Sequence, residues 1–139
     1  MAYDPNNIFA KIVRGEAPCF KVYEDAHTLA FMDIMPQAEG HTLVIPKEGA
    51  ESIFDLSPEA AAALITATKK VAAAVKEVTN APGIMLAQLN GAAAGQTVFH
   101  IHFHVIPRSN GIDLTLHARE KADFGHIKTL AGKIAAAIK

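Results

Sequence analysis

Three histidines stand at alternate positions in the stretch HIHFHVIPR: His100, His102 and His104, with an apolar residue between each pair. Alternate side chains of a strand share a face. The imidazoles therefore line one side, and Phe99, Ile101, Phe103 and Val105 line the other, where they read as core. A single metal ion is one explanation. Neighbouring histidines on such a strand lie roughly 6.7 Å apart and the outer pair about 13 Å, against ~2.1 Å from a bound nitrogen to zinc. Three rings could meet on one ion only if the strand bent sharply, and no cysteine or carboxylate stands nearby in ligand register. No metal site is expected. A row of hydrogen-bonded or solvated structural histidines is the plain alternative, and strict alternation beside a loop of small residues counts against it. The remaining reading is chemistry at phosphorus. A neutral imidazole is a nucleophile near neutral pH, and a protonated one donates to anionic oxygen or to a leaving group. The preceding loop, Asn90–Gly95 (NGAAAG), is small enough for backbone N–H groups to approach a phosphate. No lysine follows its glycines, so it is not a P-loop.

The elements that must hold this segment can be outlined from pattern. Asn6–Arg14 reads as a short helix ended by Gly15 and Pro18. Phe20–Glu24 and Thr28–Asp33 read as strands joined by a turn at Asp25–His27, and His41–Ile45 as a strand closed by Pro46. Ser57 is placed to cap a helix with Pro58 at its first position and Leu64, Val71, Val75 and Val78 on one stripe. Ile84–Leu89 reads as a strand, and Thr97–Ile106 as the histidine strand, ended by Pro107. Phe124, Ile127, Leu130, Ile134 and Ile138 are spaced for a C-terminal helix. Strands clustered in hairpins and separated by two longer helices predict an α+β fold with an antiparallel sheet.

The 139 residues are the size of one ordinary domain; half are hydrophobic and 19% charged, which excludes global disorder. A net charge of −1 excludes a protein that binds nucleic acid by bulk charge. The single cysteine, Cys19, permits no internal disulfide and suits a reducing, cytoplasmic setting. The opening MAYDPNNIF lacks the pattern of a secretory signal, and Lys69 and Lys70 break the longest apolar region, so neither export nor membrane insertion is expected.

The run GQTVFHIHFHVIP resembles the signature of the histidine triad (HIT) family. NIFAKIVRGEAP, YEDAHTLAFMDIMPQAEGHTLVIPK and DLSPEAAAAL resemble, in order, the N-terminal part, the nucleotide-binding hairpins and the helix start of its Hint-like branch. AGQTV and VIPR also resemble the Fhit branch. The likeness is clearest over residues 6–108. It implies one HIT-like domain over 1–139, with a sheet of about five strands, one long central helix and a helical extension over 115–139. It implies a homodimer that binds purine nucleotides and cleaves at the α-phosphate through a nucleotidyl-histidine, with no cofactor. Carried over by position, His102 would be the nucleophile, His104 would contact phosphate and leaving group, and His100 would support them. Gln96 and Thr97 would hold phosphate and leaving group with help from Asn90, Gly95 and Val98. Asp33 would accept the ribose hydroxyls. Ile8, Phe9, Ile12, Phe31, Ile34 and Leu43 would line the slot for the base, and His41 would lie near the triad. On the residues alone, Ile8, Phe9, Ile12 and Leu43 fit core equally well and Asp33 fits a turn. Cys19, His27, His117 and His126 read as structural or solvent-exposed.

Some positions depart from the family pattern. Leu89 stands where many relatives carry a polar loop residue, Met32 where Hint-like proteins often carry histidine, and the chain has no tryptophan. The leaving-group preference of relatives therefore does not transfer. The reading that follows is a purine nucleoside phosphoramidate hydrolase releasing AMP or GMP. The alternatives are a dinucleoside polyphosphate hydrolase, a nucleotide-binding regulatory module with little turnover and, more weakly, a zinc site made by two of the strand histidines with a distant residue.

Overall fold

The computed structural model describes residues 3–110 and 123–139. His117, and the part of the expected C-terminal extension over 115–122, lie outside the described residues.

Five strands form one antiparallel sheet in the order β1-β2-β3-β5-β4: β1 Lys21–Glu24, β2 Thr28–Met32, β3 Thr42–Pro46, β4 Gly83–Gln88 and β5 Phe103–Arg108. Among the described residues three α-helices accompany it: α1 Ile8–Val13, α2 Pro58–Thr79 and α3 Phe124–Ala137. The α+β class expected from the sequence is the class observed.

Local chemistry explains the helix ends. The Asn7 side chain caps α1 by accepting from the Ala10 N–H, and Ser57 caps α2 by accepting from the Ala60 N–H. Pro58 opens α2 as a first-turn residue, and Asn80, left-handed at φ 54°, closes it. Asp123 caps α3. Gly40 has φ +97°, and a Cβ there would lie 2.6 Å from Thr79 Cγ2. Only glycine lets the β2–β3 connection pass this close to the end of α2.

The pleat divides β2 and β3 between two apolar layers. Ala30, Met32 and Val44 face a large cluster with Leu64, Val71 and Val75 of α2 and Ile127, Leu130 and Ile134 of α3. Leu29, Phe31, Leu43 and Ile45 face a small cluster with Phe9 of α1, flanked by Ile12, Val13, Cys19 and Val98. Every residue of β2 and β3 is buried.

The histidine strand requires correction. It was expected over Thr97–Ile106, with all three rings in one ladder; β5 begins only at Phe103 and runs through Pro107 to Arg108. β5 pairs with β3 only at Phe103–Val105, whereas its pairing with β4 continues to Arg108. Pro107 therefore falls where β3 no longer lies opposite, and its missing N–H costs no bond on that side. Upstream, the chain peels off the sheet: the Ile101 N–H donates to the Ala50 carbonyl rather than to a ladder partner. The alternation of faces survives this bend. Ile101 is fully buried in the large cluster, while His100 and His102 turn to the other side. They do not line a face left outside the core, because both are themselves buried.

Candidate active site

His104 is the one triad residue on a regular strand. It pairs with Leu43 on β3 and with Ala87 on β4, and Leu43 pairs with Phe31 on β2. Phe31, Leu43, His104 and Ala87 thus form one rung on the small-cluster face. The His102 ring lies 4.9 Å from that of His104, and 4.9 Å from Phe9, which meets it edge-on at 89°.

The hydrogen bonds assign the proton on each ring, because a carbonyl can only accept and a backbone N–H can only donate. His102 Nδ1 lies 2.7 Å from the His100 carbonyl, so Nδ1 carries the hydrogen and Nε2 the lone pair. His100 Nε2 donates to the Pro46 carbonyl at 2.8 Å. His41 Nδ1 accepts from the Gln37 N–H at 2.9 Å, which puts its hydrogen on Nε2. That Nε2 donates to His104 Nδ1 at 3.0 Å, so His104 carries hydrogen on Nε2. Two neighbouring imidazoles are thereby held in opposite tautomers: His102 with a nucleophilic Nε2, His104 with a donating one.

Burial favours the neutral rings. It holds the pKa of His102 below the ordinary histidine value, against the opposing hydrogen bond to the His100 carbonyl. His100 is lowered by burial, opposed by Pro46 and assisted by His102. His41 is pushed down to about 3, by burial first and then by the proximity of His104 and His102.

Asp33 follows β2 directly. Its Oδ1 accepts from the Met35 N–H at 2.8 Å, the turn role that its sequence context permits, and its Oδ2 lies 3.5 Å from His41 Nε2. The fold thus supplies a carboxylate to the histidines that sequence spacing did not. One ligand atom each from Asp33, His41 and His104 falls within a 4.8 Å cluster. The set fits a metal poorly. His41 would have to coordinate through Nε2, which is protonated while Nδ1 accepts from Gln37.

The loop before the triad is more self-contained than its composition suggests. The Gly91 N–H donates to Gln96 Oε1, and the N–H groups of Ala94 and Gln96 donate to the Gly91 carbonyl. Gln96 is buried, and its Nε2 donates to the carbonyls of Glu51 and Val98. Asn90 Oδ1 accepts from the Ile53 N–H and from Gln88 Nε2, so Asn90 braces the loop. Gly91 and Gly95, at φ 92° and 103°, supply the positive-φ positions at either end of Ala92–Ala94, Gly95 in the left-handed helical region. Thr97 and Val98 line a cleft of about 410 Å³ with Asp4, Asn7, Ile8, Glu51 and Phe99.

Of the expected slot, Phe9, Phe31 and Leu43 are buried together, with Ile12 and Val98 packed against them. Ile8 and Ile34 are 48% and 38% exposed and stand outside the cluster. Cys19 sits at its edge, half-buried, with its thiol pushed up by burial. His27 is exposed, and His126 pairs with Glu39 across the gap between α3 and the β2–β3 connection. The parts that pattern did not reveal are the anchors: the Gln37 N–H, the Pro46 carbonyl and Tyr3, whose hydroxyl lies 2.6 Å from His100 Nδ1. Two are backbone groups, which carry no residue signature. Among the described residues, no buried side-chain nitrogen or oxygen lacks a partner.

Comparison with known proteins agrees with this architecture. The model of the HIT domain family matches residues 14–111. Protein hit of Bacillus subtilis is 46% identical over 103 residues, covering 74% of this chain and 71% of its own length. Adenosine 5'-monophosphoramidase of Schizosaccharomyces pombe is 46% identical over 103 residues, covering 74% of each chain. The crystal structure of a Hit-like protein from Bartonella henselae superposes with a TM-score of 0.94 at 48% identity, covering 99% of this chain and 100% of the other.

Proposed function

The chain belongs to the HIT domain family, and from that premise we propose that it hydrolyses purine nucleoside phosphoramidates at the α-phosphorus, with His102 as nucleophile. One observation carries the reading: His102 Nδ1 is committed to the His100 carbonyl, which leaves a neutral, buried ring with its Nε2 lone pair available. In the first step Nε2 bonds to phosphorus and the P–N bond breaks. The departing nitrogen takes one proton from solvent and leaves as an amine. The nucleotidyl-imidazolium keeps its Nδ1 hydrogen on the His100 carbonyl. In the second step water attacks phosphorus, the Nε2–P bond breaks, one proton returns to solvent and the nucleoside monophosphate leaves. His104, held as an Nε2–H donor by His41, stabilises the phosphoryl oxygens.

The base packs against Phe9, Ile12, Phe31, Leu43 and Val98, with Ile8 and Ile34 at the rim. Asp33 accepts from the ribose hydroxyls. Thr97 contacts the phosphate or leaving group, while Gln96, Asn90 and Gly95 act by shaping the loop. The described residues lining the cleft at Thr97 and Val98 include Asp4 and Glu51 and no lysine or arginine. Two carboxylates disfavour a polyphosphate leaving group and suit an amine. The phosphoramidase name of the Schizosaccharomyces relative supports the same choice.

We propose further that the protein acts as a homodimer in the cytoplasm. β4 is an edge strand whose Leu86 is 45% exposed, and Ile65 of α2 is 50% exposed. Among the described residues no helix is long and apolar enough to cross a membrane. The functional test is turnover of an adenosine phosphoramidate in EDTA by the wild-type chain and by His102→Asn. Turnover by the wild type alone is expected; equal turnover by both rejects the reading.

A further inference from the structure

The chain of contacts that holds His102 does not end at His100. The carbonyl that accepts from His102 Nδ1 belongs to the His100–Ile101 peptide, and the N–H of that same peptide donates to Ala50 O at 2.9 Å. The position of this peptide depends on where His100 sits. The His100 side chain is 1% exposed and is tied at both nitrogens: Nε2 donates to Pro46 O, and Nδ1 lies 2.6 Å from the Tyr3 hydroxyl. Because Nε2 carries the hydrogen, Nδ1 must accept, and Tyr3 must donate. The Tyr3 oxygen accepts in turn from Asn7 Nδ2 at 3.0 Å. The same Asn7 caps α1 through Oδ1 and donates to the Asp4 carbonyl, so its amide orientation is fixed. The Tyr3 ring meets the His100 ring edge-on at 5.7 Å and lies against Gly49, where a Cβ would come within 2.8 Å of it. Gly49 leaves the space that this ring fills.

We infer that Tyr3 is a positioning residue of the nucleophile: its hydroxyl fixes the tautomer and placement of His100, and through the His100 carbonyl the tautomer of His102. The inference about rate rests on the hydrolase reading above; the inference about the rings does not. The hydroxyl is the only donor that the described residues bring to His100 Nδ1. Without it that nitrogen is buried and unpaired, a state relieved by ring rotation or by a second proton. Rotation draws Nε2 off the Pro46 carbonyl and disturbs the peptide that holds His102, and a second proton puts a positive charge beside the His102 ring.

Tyr3→Phe removes the hydroxyl and keeps the ring that fills the space at Gly49. Asn7→Asp keeps the cap on α1 and supplies a carboxylate that draws the Tyr3 proton away from His100. In nitrogen-resolved imidazole spectra of the unliganded protein, the wild type should show His100 as the Nε2–H tautomer and His102 as Nδ1–H. Both variants should shift the His100 Nδ1 resonance and mix the His102 tautomers. Single-turnover nucleotidyl transfer should slow about tenfold in both variants; in Tyr3→Phe, which leaves the cleft lining at Asn7 intact, KM should stay within about twofold, an effect on chemistry rather than on binding. Ring spectra like the wild type's in both variants would overturn the inference, whatever happens to the rate. Altered spectra with an unchanged transfer rate would overturn it too. Altered spectra in a chain whose wild type cleaves no phosphoramidate would uphold the hold of Tyr3 on the rings and reject the hydrolase reading instead.

Discussion

The two faces of the sheet are built from the same strands and serve opposite ends. On one face, α2 and α3 close over an aliphatic layer of Ala30, Met32, Val44, Leu64, Val71, Val75 and Ile134. On the other, α1 lays Phe9 over Leu29, Phe31, Leu43 and Ile45, and this apolar layer runs into the histidines: Phe9 meets Phe31 at 5.4 Å and His102 at 4.9 Å. The covered face is mostly aliphatic, and the hydroxyls it buries on Thr42 and Thr68 are satisfied locally by the carbonyls of Gly40 and Leu64. The other face leaves its apolar layer incomplete at a line of imidazoles whose hydrogen bonds go to backbone, to one another and, at His100, to the Tyr3 hydroxyl. Stability and chemistry are thereby separated across a single pleat, and variants on the two sides should fail in different ways.

The largest separation is expected from His102→Asn. Turnover should fall roughly 10⁴-fold or more, as for loss of a covalent nucleophile, with little change in the thermal midpoint. A comparable fall in midpoint would mean that the ring is there for packing.

The converse variant is Leu64→Ala on the covered face, where the side chain is 1% exposed. It should cost about 2–5 kcal/mol of stability in urea unfolding and leave kcat/KM unchanged while the protein stays folded.

Acidification should strike the histidine face first. A buried histidine whose folded pKa is depressed binds fewer protons folded than unfolded, so its contribution is intact above the ordinary value and lost as pH falls. For His41 the window runs from about 6.5 down to about 3. His100 and His102 act in the same direction. Each buried ring adds at most about 1.4 kcal/mol per pH unit inside its window. Urea midpoints should fall between pH 7 and pH 5, and His41→Asn should flatten that slope. A pH-independent midpoint over the range would show the rings to be freely protonated.

The smallest effect tests the small cluster as a binding surface. Ile12→Ala, at its half-buried edge, should raise KM for the nucleotide about tenfold with kcat nearly constant, because it removes packing and no chemistry. A large stability loss with KM unchanged would make this layer core alone.

Much of the fold was legible because periodicity and caps report local physics. Ser57, Pro58 and the Leu64–Val71–Val75 stripe specify α2, and the nearly unbroken apolar runs in β2 and β3 specify their two-sided burial. The histidine segment was half legible. Its alternation fixed which side chains share a face. The departure from the sheet at His100–His102 depends on Ala50 and Pro46, which are distant in sequence and act through backbone atoms. Asp33 and His41 reach His104 for a similar reason: the β2–β3 pairing delivers them, and no spacing along one strand could show it. Tyr3 left no signal, since one tyrosine ahead of a short helix has no pattern to belong to.

The proposed chemistry depends on one bond, from the Nε2 nitrogen of His102 to the substrate's phosphorus. The most direct measurement is rapid acid quench with an adenosine phosphoramidate, followed by peptide mass spectrometry. One adenylyl group is expected, transiently, on the peptide carrying His102, with the site assigned to that ring by fragmentation and no adduct in His102→Asn. Turnover with no adduct at any quench time, or an adduct on His104 or another residue, would contradict it.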